Sequence, residues 1–152
     1  MIYTQAITGK ENLTDIKDDK IKALTQFYAA FNGKDFALMQ ENWYNHKEIA
    51  MDNPLGGIKR GWEEIKSIYK RIFSGKALVY VEFYDYSMVE MDGGFCAIGR
   101  ERGWVQIGEE KLDLAIRTSR VYKKVNGAYK QVHHHGSIED PALLKTYQKL
   151  VR

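Results

Sequence analysis

Three consecutive histidines, His133, His134 and His135, close a run of alternating residues and are followed by Gly136 and Ser137. Imidazoles on a strand offer two kinds of chemistry, metal ligation and proton transfer near neutral pH. Side chains alternate faces along a strand, so His133 and His135 share one face and His134 takes the other. An i, i+2 pair gives two ligands to a zinc or iron ion, and a site needs at least one more. Only His46 or an acid remains, at no motif spacing, so no metal is expected. The single cysteine, Cys96, excludes an intramolecular disulfide and reads as a buried strand thiol rather than a nucleophile.

The histidines belong to a hairpin, TSRVYKKVNGAYKQVHHHGS over residues 118–137, folded about Asn126-Gly127. Asn and Gly tolerate the positive φ of a tight primed turn, so the flanking runs should pair antiparallel. Further candidate strands cover 77–91, 95–107 and 111–125, then 129–138, separated by Asp92-Gly93-Gly94, Gly108-Glu109 and Asn126-Gly127, which predicts a meander. Gly99 and Gly103 interrupt the second strand as bulge or bend positions, which a sheet needs in order to curl.

The first half has helical period instead. Ile21, Leu24, Phe27, Tyr28 and Phe31 follow i, i+3, i+4, i+7 spacing in a helix over 15–32, with Gly33 as its C′ residue. A short helix follows Asp35 as N-cap and buries Phe36, Met39 and Trp43. A brief strand over 48–52 stops at Asn53-Pro54 and Gly56-Gly57. Gly61 opens a third helix with Trp62, Ile65, Ile68, Tyr69 and Ile72 inward, ended by Gly75. Asp140-Pro141 opens a terminal helix bearing Leu143, Leu144, Tyr147 and Leu150. Helices before strands suggest α+β, with three helices on one face of a curled sheet enclosing a cavity. Residues 1–14 have no period.

A length of 152 residues with 44% hydrophobic content fits one domain, 1–152. A dispersed net charge of +3 does not mark a nucleic-acid partner. The opening MIYTQAITGKENLTD lacks a basic flank before an apolar core, and no apolar run reaches the roughly 18 residues of a membrane span. The expectation is a cytoplasmic protein with no membrane partner.

Two stretches carry a family resemblance. FYAAFNGKDFALMQENWYNHKEIAMDNPLGGIKRGWEEIKSIY resembles ketosteroid isomerases and SnoaL-like cyclases in its A-x-N-x-x-D helix junction, its D-N-P-x-G loop and the glycine opening the third helix. SRVYKKVNGAYKQVHHHGS is similar to the association, or hub, domain of calcium/calmodulin-dependent protein kinase II, whose pattern is T-R-V-W, a D-G turn, then W-x-x-V-H-x-H-x-S. The chain is thereby identified as a member of the SnoaL-like branch of the nuclear transport factor 2-like superfamily over roughly residues 18–138. The resemblance implies a cone: three N-terminal helices packed on a strongly curved antiparallel sheet, here with an extra helix over 140–151. It implies no single reaction, because the fold hosts isomerases, cyclases, dehydratases, transport factors and oligomerisation modules.

An isomerase of this kind uses a carboxylate base before the proline of the D-N-P loop, a tyrosine on the first helix and a protonated aspartate in a late strand. Here the base position is Asn53, which takes no proton, and the late-strand position, 119–121, holds no acid. The helix position is Phe27, with Tyr28 one residue on and turned by about 100°. Steroid isomerisation is therefore disfavoured. Asp52 remains either a displaced base or a turn-capping residue beside Pro54.

The hub resemblance implies a cavity lined by arginines that accept small carboxylates. Arg100 and Arg120 match two of those arginines, and Gly136 replaces a third. Guanidinium forks suit carboxylates and phosphates. The competing role is structural, with Glu82, Glu101 or Asp113 as internal partners. With Gly136 inward, Val132 and His134 also face the cavity while His133, His135 and Ser137 face the convex side; a bulge before Ser137 would exchange the two sets. Beside two arginines His134 stays neutral and serves as acceptor or weak base.

The expected function is therefore a pocket binding a small polar or carboxylate-bearing molecule through Arg100, Arg120 and His134, with Tyr28, Trp62 and Trp104 as walls and no cofactor. Two alternatives stay open. One is an isomerase, cyclase or dehydratase moving a proton with Asp52 or His134, Tyr28 assisting; the other is an assembly module like the hub. The convex sheet face is expected to form a homodimer.

Overall fold

The computed structural model describes residues 1–151. Its first long helix, α1 (Asp19–Asn32), starts where the Asp18 carboxylate accepts from the N–H of Lys20 at 2.8 Å and of Ile21 at 3.4 Å. It begins later than its apolar period suggests, because residues 13–15 form a separate turn capped by Asn12. Gly33 ends it in a right-handed conformation, and the neighbouring Lys34 takes the positive φ of 52°. Gly33 is still needed for space, since a Cβ there would lie 2.8 Å from the Ala29 carbonyl oxygen. Asp35 then caps α2 (Phe36–Asn42) through the Leu38 N–H. β1 (Ala50–Asp52), β2 (Ile58–Arg60) and α3 (Gly61–Ser74) follow, and α3 buries Trp62, Ile65, Ile68 and Tyr69.

The meander comprises β3 (Leu78–Met91), β4 (Gly94–Ile107), β5 (Glu110–Val125) and β6 (Ala128–Ser137), with Asn126 at φ 51° and Gly127 at φ 83° forming the primed turn. α4 (Pro141–Val151) closes the described chain, its first turn held by the Asp140 carboxylate. The sheet order is β2-β1-β6-β5-β4-β3. β1 runs parallel to β6, so the sheet is mixed rather than antiparallel throughout. β2 pairs with β1, and its three exposed residues offer no apolar alternation from which to foresee a strand.

Two bulges set the sheet's curvature and its faces. In β3, Asp85 at φ 48° and Tyr86 together oppose Gly99. In β6, Val132 is the extra residue, because Tyr122 pairs with Gln131 while Val121 pairs with His133. Gly99 and Gly103 lie where backbones crowd the concave side: a Cβ at 99 would sit 2.6 Å from Tyr86 Cβ, and one at 103 would overlap the Tyr80 carbonyl oxygen. Gly103→Ala is therefore expected to destabilise the fold by about 1–3 kcal/mol, seen as a lower urea midpoint with an unchanged slope.

The aperiodic N-terminus is positioned by two isolated contacts. Tyr3 and Ile7 bridge Tyr86 and Phe83 through backbone hydrogen bonds, and the Tyr3 and Tyr86 rings stack at 4.8 Å. This segment covers part of the open edge of β3, where unpaired backbone groups would otherwise face solvent. Leu24, Phe27, Tyr28, Met39, Phe83 and Phe95 form the centre of the core between helices and sheet. Among the described residues no helix is long and apolar enough to cross a membrane.

Candidate functional site

The inward positions of β4, β5 and β6 bring Glu101, Arg120, Gln131 and His134 beneath α1. Arg120 is the centre of this group and is only 2% exposed. Its Nη2 donates to Glu101 Oε2 at 3.0 Å, its Nη1 to Gln131 Oε1 at 2.8 Å and its Nε to the Tyr28 oxygen at 3.3 Å. The Phe27 ring lies against the guanidinium, 3.5 Å from centroid to Cζ. Tyr28 donates its own proton to Glu101 Oε2 at 2.5 Å. Burial, with the Glu101 charge beside it, pushes that phenol well above its ordinary range, so it remains a donor. Gln131 Nε2 passes the network on to Asn42 Oδ1, which also accepts from Tyr122.

This cluster is the floor of a cavity of about 750 Å³, within the range of small-molecule sites. Its walls are apolar, with Phe31, Ile68, Ile72, Val79, Leu114 and Ile116 prominent. His134 lines it at 7% exposure, and neither ring nitrogen has a hydrogen-bond partner. Burial, followed by the Arg120 charge, holds its pKa well below the ordinary imidazole value. The ring is neutral at pH 7, with one N–H and one lone pair to offer. α4 covers the opening with Tyr147, and Gln148 donates to the Leu55 carbonyl at 3.0 Å, fixing the helix to the D-N-P loop.

A cone of helices over a curved, unclosed sheet with an internal cavity agrees with the family model of the SnoaL-like domain, which matches residues 21–141. The chain belongs to the SnoaL-like domain family. No curated protein matches its sequence. Among solved structures, this SnoaL-like domain is similar to a candidate calcium/calmodulin-dependent protein kinase type II association domain from Thiobacillus denitrificans, with 22% identity and a TM-score of 0.63 over 78% of this chain and 94% of that one. It is also similar to a candidate dehydratase of the nuclear transport factor 2-like family from Streptomyces avermitilis, at 14% identity and a TM-score of 0.73 over 80% and 95% of the two chains. A nuclear transport factor 2-like superfamily protein from Salmonella enterica matches at 19% identity and 0.68, over 76% and 85%. At these identities the likeness is one of fold.

Of the residues singled out in the SnoaL-like sequence, Arg120 and His134 line the cavity and Tyr28 holds Arg120 and Glu101 from behind. Arg100 does not join them. Glu101 takes the inward position, so Arg100 points out, 3.5 Å from Asp85 and 3.7 Å from Glu139. Asp52 is outward for the same reason: Met51 fills the concave side, and Asp52 accepts from His135 Nδ1 at 2.7 Å, 4.0 Å from His133 Nε2. Trp62 is buried against Phe36, and Trp104 stacks on Tyr80 outside the cavity. Val132, expected inward, is displaced by the β6 bulge, and Gln131 takes that place. His133 and His135 face the convex side with Asp52, while His46 stacks on Tyr44. Among the described residues, no group of three histidine, cysteine or acidic side chains is arranged to hold a metal. Cys96 is half-buried in β4, and burial pushes its thiol up.

Gln131 is the site residue that sequence reasoning did not select, and Glu101 enters there only as one of three acids that could pair with the arginines, the role it takes with Arg120. The signal for Glu101 lies in its phase with Ala97, Gly99, Gly103 and Val105, all positions of one face. Gln131 carries no such signal, because its orientation depends on a bulge.

Proposed function

We propose that this SnoaL-like domain binds a small molecule with a largely apolar body and a neutral polar group that reaches His134 and the Arg120–Glu101 pair at the floor. The carrying observation is the imidazole of His134, nine-tenths buried with both nitrogens unpartnered. Buried polar groups are normally satisfied, and leaving one bare costs about 1–3 kcal/mol, so a ligand hydroxyl or carbonyl supplies what the protein does not. The Arg120 charge is already met by Glu101, which makes the floor better suited to a neutral polar group than to a carboxylate.

A second reading, an isomerase, cyclase or dehydratase, is favoured by the other Glu101 oxygen. Tyr28 and Arg120 both bind Oε2, leaving Oε1 with no hydrogen bond from the described residues while the side chain lines the cavity. A clamped carboxylate and a neutral imidazole lining one cavity supply a base and a hydrogen-bond donor for moving a proton on a bound substrate. The likeness to a candidate dehydratase is in keeping with this, and Asp52, on the opposite face, has no part in it. Exposed Ile98, on a strand of the outer face, supports a homodimer through that face. A monomer by light scattering at micromolar concentration overturns the dimer.

A thermal-shift panel of small alcohols, ketones and carboxylates tests the binding reading. A ligand at 100 times its Kd should stabilise the protein by about 2.7 kcal/mol. His134→Leu is expected to remove most of that shift, while Asp52→Asn leaves it intact. Silence across the panel, or loss in Asp52→Asn with His134→Leu unaffected, overturns it. Solvent-deuterium exchange into a bound cyclic ketone, abolished in Glu101→Gln, would establish the enzymatic reading.

A further inference from the structure

The charges of the cavity are divided by depth. At the floor, Arg120 and Glu101 neutralise each other at 3.0 Å. At the mouth stand Lys59 on β2, Arg71 on the last turn of α3 and Lys76 just before β3, all exposed. None of these three side chains forms an ion pair or a cation–π contact with the described residues. Among the described residues Glu101 is the one acidic side chain lining the cavity, and it lies at the bottom. Between mouth and floor the wall is aliphatic and aromatic, from Ile72 and Val79 to Leu114 and Ile116.

We infer that the ligand is an amphipathic monoanion held head-outward: its carboxylate or sulfonate at Lys59, Arg71 and Lys76, an apolar body against the wall, and a neutral hydroxyl or carbonyl at His134. This rests on the cavity reading above and adds its polarity and direction. Three unpaired cations around a low-dielectric cleft attract anions and repel ammonium groups. The anion stays at the mouth because placing a second carboxylate beside Glu101 in the dry floor would set like charges together without a free cation to meet them. Lysine and arginine at a wet rim hold an anion without removing it fully from water, so the cost of desolvation is small. At the far end, His134 has one donor and one acceptor, which a hydroxyl satisfies better than a methyl.

Calorimetric titration with three probes separates the possibilities: 4-phenylbutanoate, its neutral counterpart 4-phenylbutan-1-ol, and 4-(4-hydroxyphenyl)butanoate. The wild type should bind the carboxylate about tenfold or more tightly than the alcohol, with the difference shrinking as salt rises. The triple variant Lys59→Ala, Arg71→Ala, Lys76→Ala changes only exposed side chains and should lose that preference while still binding the alcohol. The phenolic probe should exceed 4-phenylbutanoate in affinity, and His134→Leu should erase that margin. Equal binding of alcohol and carboxylate, or a carboxylate preference that survives the triple variant, overturns the orientation while leaving the cavity reading standing. No binding of any probe overturns both.

Discussion

Arg120→Met is expected to destabilise the protein by about 3–5 kcal/mol, the usual cost of removing one member of a buried ion pair. Methionine retains much of the volume and apolar stem, so the loss is electrostatic more than a matter of packing. Glu101 would be left at 5% exposure with only the Tyr28 hydroxyl bound to it, and Gln131 Oε1 would lose its donor. The charge at 120 is firmly kept: burial works against it, but the oxygens of Tyr28 and Glu101 more than offset that and raise the guanidinium pKa. Arg120→Lys should recover only part of the loss, because an ammonium cannot reach three acceptors set out for a planar fork. Replacing both charges, Arg120→Met with Glu101→Leu, should recover most of it. Urea unfolding of the wild type, the single variants Arg120→Met and Glu101→Leu, and the double variant closes the cycle. A loss below about 1 kcal/mol for Arg120→Met would show a pair that behaves like a solvated one.

Much of this arrangement was legible in the sequence, and the exceptions have physical causes. Asp35 and Asp140 mark helix starts because a short carboxylate meets free N–H groups, and that signal is local. Asn126-Gly127 marks its turn for an equally local reason. The parallel contact of β1 with β6 is a long-range pairing, and a three-residue strand has too little alternation to show which of Met51 and Asp52 faces inward. Arg120 and His134 were placed on the cavity side by resemblance and strand parity, and they lie there. Arg100 was placed by resemblance alone, against the phase shared by Gly99, Glu101 and Gly103. That phase follows from curvature: where the sheet bends most, the concave side has no room for a side chain at 99 or 103, so those positions were always inward and Arg100 outward. Parity also fails across a bulge, which is why Gln131 and not Val132 supports Arg120.

The neutrality of His134 predicts a particular acid sensitivity. In the unfolded chain this imidazole takes a proton at its ordinary value of 6.5, whereas in the fold burial and Arg120 hold its pKa well below that. Above pH 6.5 neither state binds the proton and the group adds no pH dependence. As pH falls below 6.5 the unfolded state gains a proton that the folded state refuses, so stability drops by about 1.4 kcal/mol per pH unit until the folded pKa is reached. His134→Leu removes the effect, so the difference in unfolding free energy between variant and wild type should be flat above neutrality and tilt in the variant's favour below it. Because the other histidines are common to both proteins, the difference isolates residue 134. A flat difference down to pH 5 would mean that the folded protein accepts the proton, which requires an acceptor for the imidazolium such as the open oxygen of Glu101. That outcome would favour the proton-transfer reading over simple binding, so one pH series on two proteins weighs the two readings of the same floor.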